Sequence, residues 1–142
     1  AFLISGDAAR AEDLVQEALV KIAVRWPGLG ENPINYARTV IYHDHISWWR
    51  RIGRRERPVA EIPDAVAYVP AAEQRLALVS ALSRLSLRQR QVLVMRYFDD
   101  LSEAECAVQL RISVGTVKST VHDAVAALRV RAPELAAHLT KV

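Results

Sequence analysis

"LSEAECAVQLRISVGTVKSTVHDAVAALR", residues 101–129, has the pattern of two helices separated by a tight turn. Ser102 and Glu105 are spaced as a capping box, in which each side chain satisfies a free backbone N–H at the start of a helix. The short helix that they open is predicted to end near Leu110, and a longer helix follows the break at "RIS". A short helix, a tight turn and a longer helix together predict a helix-turn-helix arrangement.

The longer helix is predicted to run from Val114 to about Arg131, with one apolar and one polar face. At helical spacing the apolar face holds Val117, Val121, Ala124 and Leu128, with Val114 and Val125 at its edge. The opposite face holds Gly115, Ser119, His122 and Ala126, flanked by Thr116 and Asp123, with Lys118 nearer the core boundary. A helix approaches base edges in a major groove only where its leading face is slim, and this N-terminal end is slim. An ordinary amphipathic bundle helix with small solvent-facing residues would have the same pattern.

Two further helices are predicted ahead of this pair. One spans about residues 71–83, and Ser86 with Gln89 forms a second capping box that opens a helix to about Phe98. Free backbone amides at helix N-termini attract phosphate, and nearby arginines would add to that attraction. Each arginine alone is an ordinary surface charge, but the set favours nucleic acid as a partner. The set comprises Arg88, Arg90, Arg96, Arg111 and Arg129.

The first part of the chain is also helical in pattern. Asp7 is placed to cap a helix that runs to about Trp26, and "PGLGENP" (27–33) then interrupts the pattern. The "NP" at 32–33 predicts the start of a helix that continues to about Arg55. The apolar stripe of the first helix holds Leu14, Val15, Ala18, Leu19, Ile22 and Trp26. Because no period-two pattern occurs in either part, we predict an all-α protein.

Three prolines punctuate "PVAEIPDAVAYVP" (58–70). Prolines so placed exclude a continuous helix and favour an extended, semi-rigid connector. The sequence therefore predicts two small helical domains, residues 1–57 and 71–142, joined by this linker.

The composition limits the classes of protein to which the chain can belong. In 142 residues, a hydrophobic content of 51% allows packed cores and excludes wholesale disorder. The single cysteine, Cys106, excludes an internal disulfide and fits a reducing, cytoplasmic compartment. No apolar run approaches membrane-spanning length, and no signal-peptide pattern is recognised ahead of the first helix, so neither a membrane span nor a secretory signal is predicted. His43 and His45 point to different sides of a helix, so we predict no metal centre there. The sequence has no phosphate-binding glycine loop and no catalytic motif, so we predict no catalytic or cofactor site.

Adjacent tryptophans begin the most basic stretch, "WWRRIGRRER" (48–57), which holds five arginines and one glutamate. Neighbouring residues on a helix point about 100° apart, so Trp48 and Trp49 cannot both face the core. Trp48 continues a stripe through His45 and is the predicted core residue. Trp49 is left beside Arg50, an arrangement suited to stacking on an unpaired base while the arginine holds the backbone.

Residues 82–129 resemble the promoter −35-reading domain of the extracytoplasmic-function (ECF) sigma factors of bacterial RNA polymerase. The specific marks are "RQRQVLVMRYFDDLS" (88–102) and "SVGTVKS" (113–119). "AEDLVQEALVKIAVRW" (11–26) is similar to the block of the same family that grips the polymerase clamp helices. "YARTVIYHDHISWWRRIGRRER" (36–57) resembles the helix that faces the −10 element, and "SWWRR" is typical of an actinobacterial, SigE-type subgroup.

The resemblance implies three sets of contact residues. The −35 element would be contacted by Arg88, Arg96, Arg111, Thr116, Lys118, Ser119, Thr120 and His122. The −10 element would be contacted by Asn32, Asn35, Trp49, Arg50, Arg51, Arg54 and Arg55, although Asn32 is explained equally well as a helix cap. Core polymerase would be contacted by Glu12, Asp13, Gln16 and Glu17. The implied partners are core RNA polymerase, promoter DNA and an anti-sigma factor or other regulator, with no cofactor and no membrane insertion.

Three positions depart from the family's pattern. Most relatives have glycine where Arg111 stands, and a left-handed backbone there would cost a non-glycine residue roughly 1 kcal/mol. Relatives usually have arginine at the position of Thr120, and often another basic residue near Asp123. Since these cations are missing, non-specific phosphate attraction is expected to be weaker in this chain.

Two other functions are compatible with the same residues. In one, the chain is a stand-alone helix-turn-helix repressor or activator whose first half is a dimerisation or ligand domain. In the other, it is a sigma-like decoy that uses the acidic face of its first long helix to bind a protein without contacting DNA. The leading prediction is a sigma factor with no catalytic activity of its own.

Overall fold

The computed structural model describes residues 1–30, 32–52 and 70–140, and all regular structure in these ranges is helical, as predicted. The chain separates into two compact units, an N-terminal unit (Ala1–Glu61) and a C-terminal unit (Ile62–Val142). Residues 53–69 lie outside the described residues, and with them Arg54, Arg55 and the predicted linker except its last residue. Pro70, which was assigned to that linker, instead begins a helix, where a proline is well tolerated.

The N-terminal unit is built on two long helices. Its elements are α1 (Phe2–Ser5), α2 (Ala8–Arg25), a 3₁₀ turn (Trp26–Gly28) and α3 (Pro33–Ile52). Asp7 caps α2 as predicted, because its carboxylate accepts the backbone N–H of Arg10 at 2.6 Å. An ion pair between Lys21 Nζ and Asp44, at 2.7 Å, connects α2 with α3. The two helices therefore pack side by side with a polar link at their edge.

The buried face of α2 is narrower than its sequence predicts. Ala11, Leu14 and Ala18 are buried, and Ile22 is half-buried. Other members of the predicted stripe are exposed: Val15 by 40%, Leu19 by 58% and Trp26 by 64%. In the described ranges α2 packs against α1 and α3, which cover a single line of its side chains. The prediction of a broad apolar face turned inward is wrong for these three residues.

Within the described residues the C-terminal unit has five helices, of which the first four were predicted. They are α4 (Pro70–Ser83), α5 (Leu87–Tyr97), α6 (Glu103–Leu110), α7 (Val114–Arg131) and α8 (Pro133–Thr140). Both predicted capping boxes are confirmed. Ser86 and Gln89 exchange hydrogen bonds of 3.1 and 3.2 Å, and Ser102 and Glu105 exchange bonds of 2.7 and 3.2 Å. These reciprocal bonds set where α5 and α6 begin.

The core of the C-terminal unit forms where α7 packs against α5 and α6. Val92, Leu93 and Met95 of α5, Cys106 of α6, and Val117, Ala124 and Leu128 of α7 are fully or nearly fully buried. The predicted apolar face of α7 is confirmed, although Val121 is half-buried. Because this face is covered, the opposite face of α7 is turned outward. In the part of the chain that the structure describes, no helix is long and apolar enough to span a membrane.

Candidate nucleic-acid interface

The turn between α6 and α7 is formed by residues 111–113. Arg111 has φ 54° and ψ 50°, the left-handed conformation considered from the sequence, and its backbone N–H donates to Val108 O at 3.3 Å. Ser113 caps α7, with its Oγ accepting the backbone N–H of Thr116 at 3.0 Å. These bonds close the end of α6 and the start of α7, so the direction in which α7 leaves the turn is well defined.

The outward face of α7 is slim at its N-terminal end. A Cβ added at Gly115 would approach Ser113 Oγ at 3.8 Å, an ordinary contact, so packing among the described residues does not require glycine there. Thr116, Lys118, Ser119 and His122 are exposed, and Thr120 is half-buried. The predicted reading residues are therefore brought together on one open surface that a DNA groove could accept.

The hydroxyl groups of this surface are held by the helix itself. Ser119 Oγ and Thr120 Oγ1 both donate to Thr116 O, at 3.1 and 2.7 Å. Thr116 Oγ1 shares a 2.8 Å hydrogen bond with Ser113 Oγ. Because Ser119 and Thr120 use their protons internally, these two oxygens present lone pairs outward. Such acceptors suit the exocyclic amino groups of cytosine and adenine in the major groove.

Lys118 is linked to the first helix of the pair. Its Nζ lies 3.6 Å from Glu103 Oε2, and the two side chains are 64% and 36% exposed. Exposed ion pairs of this kind contribute between nothing and about 1 kcal/mol. The ammonium group can therefore leave Glu103 for a phosphate or a base edge at little cost.

Arg90 is a structural residue of the C-terminal unit. It is only 8% exposed, and its guanidinium donates to Leu82 O at 2.9 Å and to Ser83 O at 3.0 Å. Burial lowers the pKa of Arg90. The expectation that Arg90 is available to phosphate is wrong, because its position in the second turn of α5 faces the end of α4.

The other candidate arginines differ in exposure. Arg88, Arg111 and Arg129 are exposed. Arg96 is half-buried, and its Nη1 donates to the backbone carbonyl of Leu101, so part of its donor capacity is used inside the unit. Three of the four are thus on the surface in the free protein.

An aromatic cluster lies on one side of α3. His45 is 0% exposed, whereas Trp48 and Trp49 are both half-buried. Trp49 Nε1 donates to His45 Nε2 at 3.1 Å, and the ring of His45 stacks on Trp48 at 6.2 Å and 15°. The guanidinium of Arg10 also lies over the ring of Trp48, at 4.9 Å from its centroid. The prediction that Trp48 is a core residue is wrong, because Trp48 is only half-buried. His45, which shares its predicted stripe, is the buried residue, and the two tryptophans follow it three and four residues further along the same side.

The remaining candidates for −10 contact lie at the two ends of α3. Arg50 and Arg51 are exposed in its last turn. Asn32 caps its first turn, with Oδ1 accepting the backbone N–H of Asn35 at 3.2 Å, and both asparagines are exposed. The presence of an asparagine at position 32 is therefore explained by its capping role alone, which was one of the two interpretations made from the sequence.

The predicted polymerase-binding residues share an open surface of α2. Glu12, Asp13, Gln16 and Glu17 are all exposed. A shallow groove beside them is lined by Ala1, Phe2, Ala11, Glu12, Val15 and Gln16. An acidic rim next to apolar surface is a common composition for a protein-binding face.

Cys106 is a small core residue, as predicted. Its side chain is 0% exposed, and burial raises the pKa of its thiol to about 11. Among the described residues, no group of three or more histidine, cysteine, aspartate or glutamate side chains could hold a metal ion.

Sequence reasoning did not single out His45, Arg10 or Glu103 as parts of a site. His45 could have been identified from its spacing, because it lies four residues before Trp49 on the same helix. Arg10 and Glu103 meet their partners only through packing between helices, for which the sequence holds no local signal.

The fold and the outward face of α7 define a protein of the helix-turn-helix class. The family profile described as "Sigma-70, region 4" matches residues 75–128. Over 128 residues the chain is 38% identical to an RNA polymerase sigma-E factor of Streptomyces avermitilis. This match covers 87% of this chain and 71% of the Streptomyces protein. It is 35% identical over 147 residues to the ECF RNA polymerase sigma factor SigL of Mycobacterium tuberculosis, covering 95% of this chain and 81% of that protein.

A solved structure is similar as well. It is the sigma factor RpoE of Bartonella quintana in complex with the anti-sigma factor NepR, with a TM-score of 0.69 and 26% identity. The match covers 99% of this chain and 87% of that one. The chain belongs to the ECF RNA polymerase sigma factors.

Proposed function

We propose that this chain is a cytoplasmic promoter-specificity subunit that binds core RNA polymerase, reads the −35 element and opens the −10 element, without catalytic activity of its own. The observation that carries the proposal is the outward N-terminal face of α7. It combines a glycine, three hydroxyl groups and a mobile ammonium group on an open surface, which suits entry into a major groove.

In the C-terminal unit, base reading would come from Thr116, Lys118, Ser119, Thr120 and His122. Phosphate contacts would come from Arg88, Arg96 and Arg111, which position the helix without reading sequence. The exposed ion pair of Lys118 supports this division, because an ammonium group held so weakly is available to a base edge.

In the N-terminal unit, Trp49 would stack on an unpaired base of the −10 element. Stacking on an aromatic side chain contributes about 1–3 kcal/mol, comparable with the few kcal/mol needed to unstack one base. The exposed Arg50 and Arg51 would hold the backbone of the opened strand, with Arg54 and Arg55 continuing the basic run. Asn32 and Asn35 lie at the other end of α3, about 25 Å from Trp49, so they would contact a different nucleotide of the element. A single stacking contact can therefore trap a base pair that opens thermally.

Core polymerase would bind the exposed acidic surface of α2, residues Glu12, Asp13, Gln16 and Glu17. The neighbouring exposed apolar side chains, among them Leu19, support a protein partner for this helix rather than solvent alone. The structure of a similar sigma factor contains an anti-sigma factor, so a regulator of that kind is the further partner that we propose.

The two units would act on one promoter through the linker at 58–69. Two weak DNA contacts on one tether reinforce each other through effective concentration. The domain boundaries that we propose are residues 1–57 and 70–142 with the linker at 58–69, because Pro70 begins α4.

The function is tested by co-purification with core polymerase followed by transcription in vitro. A sigma factor gives promoter-dependent transcripts when it is added to core enzyme. Duplex binding without polymerase, with no transcripts, would identify a stand-alone regulator instead. Polymerase binding without transcripts would identify a decoy.

Base reading by α7 is tested with Lys118→Ala and Ser119→Ala. We expect each variant to change which −35 sequences are selected from a randomised promoter pool while co-purification with core enzyme is unchanged. Val130→Ala is the matched control, since Val130 is 85% exposed on the same helix about three turns further along. An equal loss on all promoters would contradict base reading.

The stacking role is tested with Trp49→Ala. We expect normal closed-complex binding and reduced opening, measured by the permanganate reactivity of unpaired thymines. A premelted template should rescue Trp49→Ala, and failure of that rescue would exclude the stacking role.

A further inference from the structure

We propose that His45 is a positioning residue for promoter opening: by accepting the indole N–H of Trp49, it holds that ring in the orientation in which an unpaired base stacks on it. The inference rests on the proposed function for the role of Trp49. It extends that function to a fully buried residue that has no surface with which to contact DNA.

The hydrogen bond engages the edge of the half-buried Trp49 ring and does not itself use a face. The indole N–H lies in the plane of the ring, and Nε1 is 3.1 Å from His45 Nε2. The two rings are nearly perpendicular, with an interplanar angle of 83°. A hydrogen bond at the edge restricts the rotation of the ring while stacking uses a face, so the two interactions are compatible.

His45 is itself held in place. Its ring lies nearly parallel to that of Trp48, at 15°. The guanidinium of Arg10, a residue of α2, lies 4.9 Å from the centroid of the Trp48 ring. Trp48 and Trp49 also meet edge to face, at 5.5 Å and 89°. His45 is also 0% exposed, so the side chains packed around it oppose rotation of its ring. The acceptor that Trp49 meets is therefore rigid.

The hydrogen bond defines the protonation of the imidazole. An indole N–H can only donate, so His45 Nε2 must be the acceptor and the neutral ring carries its proton on Nδ1. A glutamine side chain places its amide oxygen close to the position of Nε2, whereas leucine offers no acceptor. His45→Gln is therefore the conservative variant and His45→Leu the disruptive one.

The first experiment observes the hydrogen bond in the full chain. Its three tryptophans give three indole N–H signals in a ¹H–¹⁵N spectrum, and the signal lost in Trp49→Phe belongs to Trp49. We expect His45→Leu to shift that signal and speed its exchange with solvent, while His45→Gln keeps it protected. An unchanged Trp49 signal in His45→Leu would overturn the proposal.

The second experiment measures opening by the holoenzyme on duplex and premelted promoters. One hydrogen bond contributes about 0.5–1.5 kcal/mol, so we expect His45→Leu to open duplex promoters roughly 2- to 12-fold more slowly, with normal rates on premelted templates. Trp49→Phe, which keeps an aromatic face but lacks the N–H, should show a loss of similar size. The double variant should be no slower than either single variant, because both remove the same bond.

The controls separate positioning from folding and from the proposed function. Circular dichroism checks that each variant is folded. His45→Gln should open promoters at a rate within about twofold of that of the unsubstituted protein, a smaller change than the loss of one hydrogen bond would cause. Additive losses in the double variant, or no rescue by glutamine, would overturn the positioning role. If the unsubstituted holoenzyme made no promoter-dependent transcripts, the proposed function would fail first, while the spectrum would still report on the bond.

Discussion

Glu103 Oε2 lies 3.6 Å from Lys118 Nζ, so the first helix of the helix-turn-helix holds the ammonium group of the second. The contact is exposed and therefore weak, and in the proposed complex DNA would compete with it for Lys118. The acidic residue thus lowers the attraction of α7 for phosphate as well as orienting the lysine.

Glu103→Gln should strengthen duplex binding at low salt and leave the free energy of unfolding within about 0.5 kcal/mol, because the pair is exposed. Fluorescence anisotropy over a salt series measures the effect. Glu105→Gln is the matched control, since it removes an identical charge two residues away and glutamine can still complete the capping box. An equal gain in both variants would assign the effect to net charge and not to the ion pair.

Arg111→Gly should stabilise the C-terminal unit by up to about 1 kcal/mol. Arg111 has a left-handed backbone at φ 54°, which costs a side-chain-bearing residue about that amount, although the greater freedom of glycine in the unfolded chain offsets part of the gain. Urea denaturation measures the change. Arg111→Ala removes the same charge but keeps a Cβ, so it should bring no such gain, and an equal gain would point to charge instead of backbone strain.

Arg90→Met should destabilise the protein by about 1–3 kcal/mol, because the carbonyls of Leu82 and Ser83 lose the guanidinium as a donor, and Leu82 O keeps the backbone N–H of Leu85. Arg88→Met changes an exposed arginine two residues away and should alter stability by less than about 0.5 kcal/mol. Thermal unfolding compares the two. If Arg90→Met retained full stability but lost affinity for DNA, the structural assignment of Arg90 would be wrong.

Cys106 should resist alkylation while the protein is folded. Its thiol is buried with a pKa of about 11, above the ordinary value of 9.0, so the reactive thiolate is scarce near neutral pH. Between these two values the folded state binds the proton more tightly than the unfolded state does. Stability is therefore expected to fall as pH rises from about 9 towards 11. Cys106→Ala should weaken that dependence, and rapid labelling at pH 7 without unfolding would contradict the burial.

The helix starts were predictable because the bonds that set them are local. Ser86 with Gln89, and Ser102 with Glu105, each meet three residues apart, so spacing alone identifies the caps. The outward face of α7 was predictable for a similar reason, since helical period sorts Gly115 and Ser119 away from Val117 and Ala124. The resemblance then indicated which DNA element that face would read.

What each face meets was decided by tertiary structure. Periodicity marked Leu19 as apolar, but its exposure depends on which neighbours cover α2. Arg90 and Arg88 are similar in sequence context, yet only Arg90 donates to the carbonyls at the end of α4. Helical spacing alone places His45 and Trp49 on the same side of α3. Their hydrogen bond also requires particular side-chain rotamers, which depend on packing with Trp48 and Arg10. Local hydrogen bonds and period thus follow from the order of residues, whereas burial and side-chain partners depend on distances between helices that no short stretch contains.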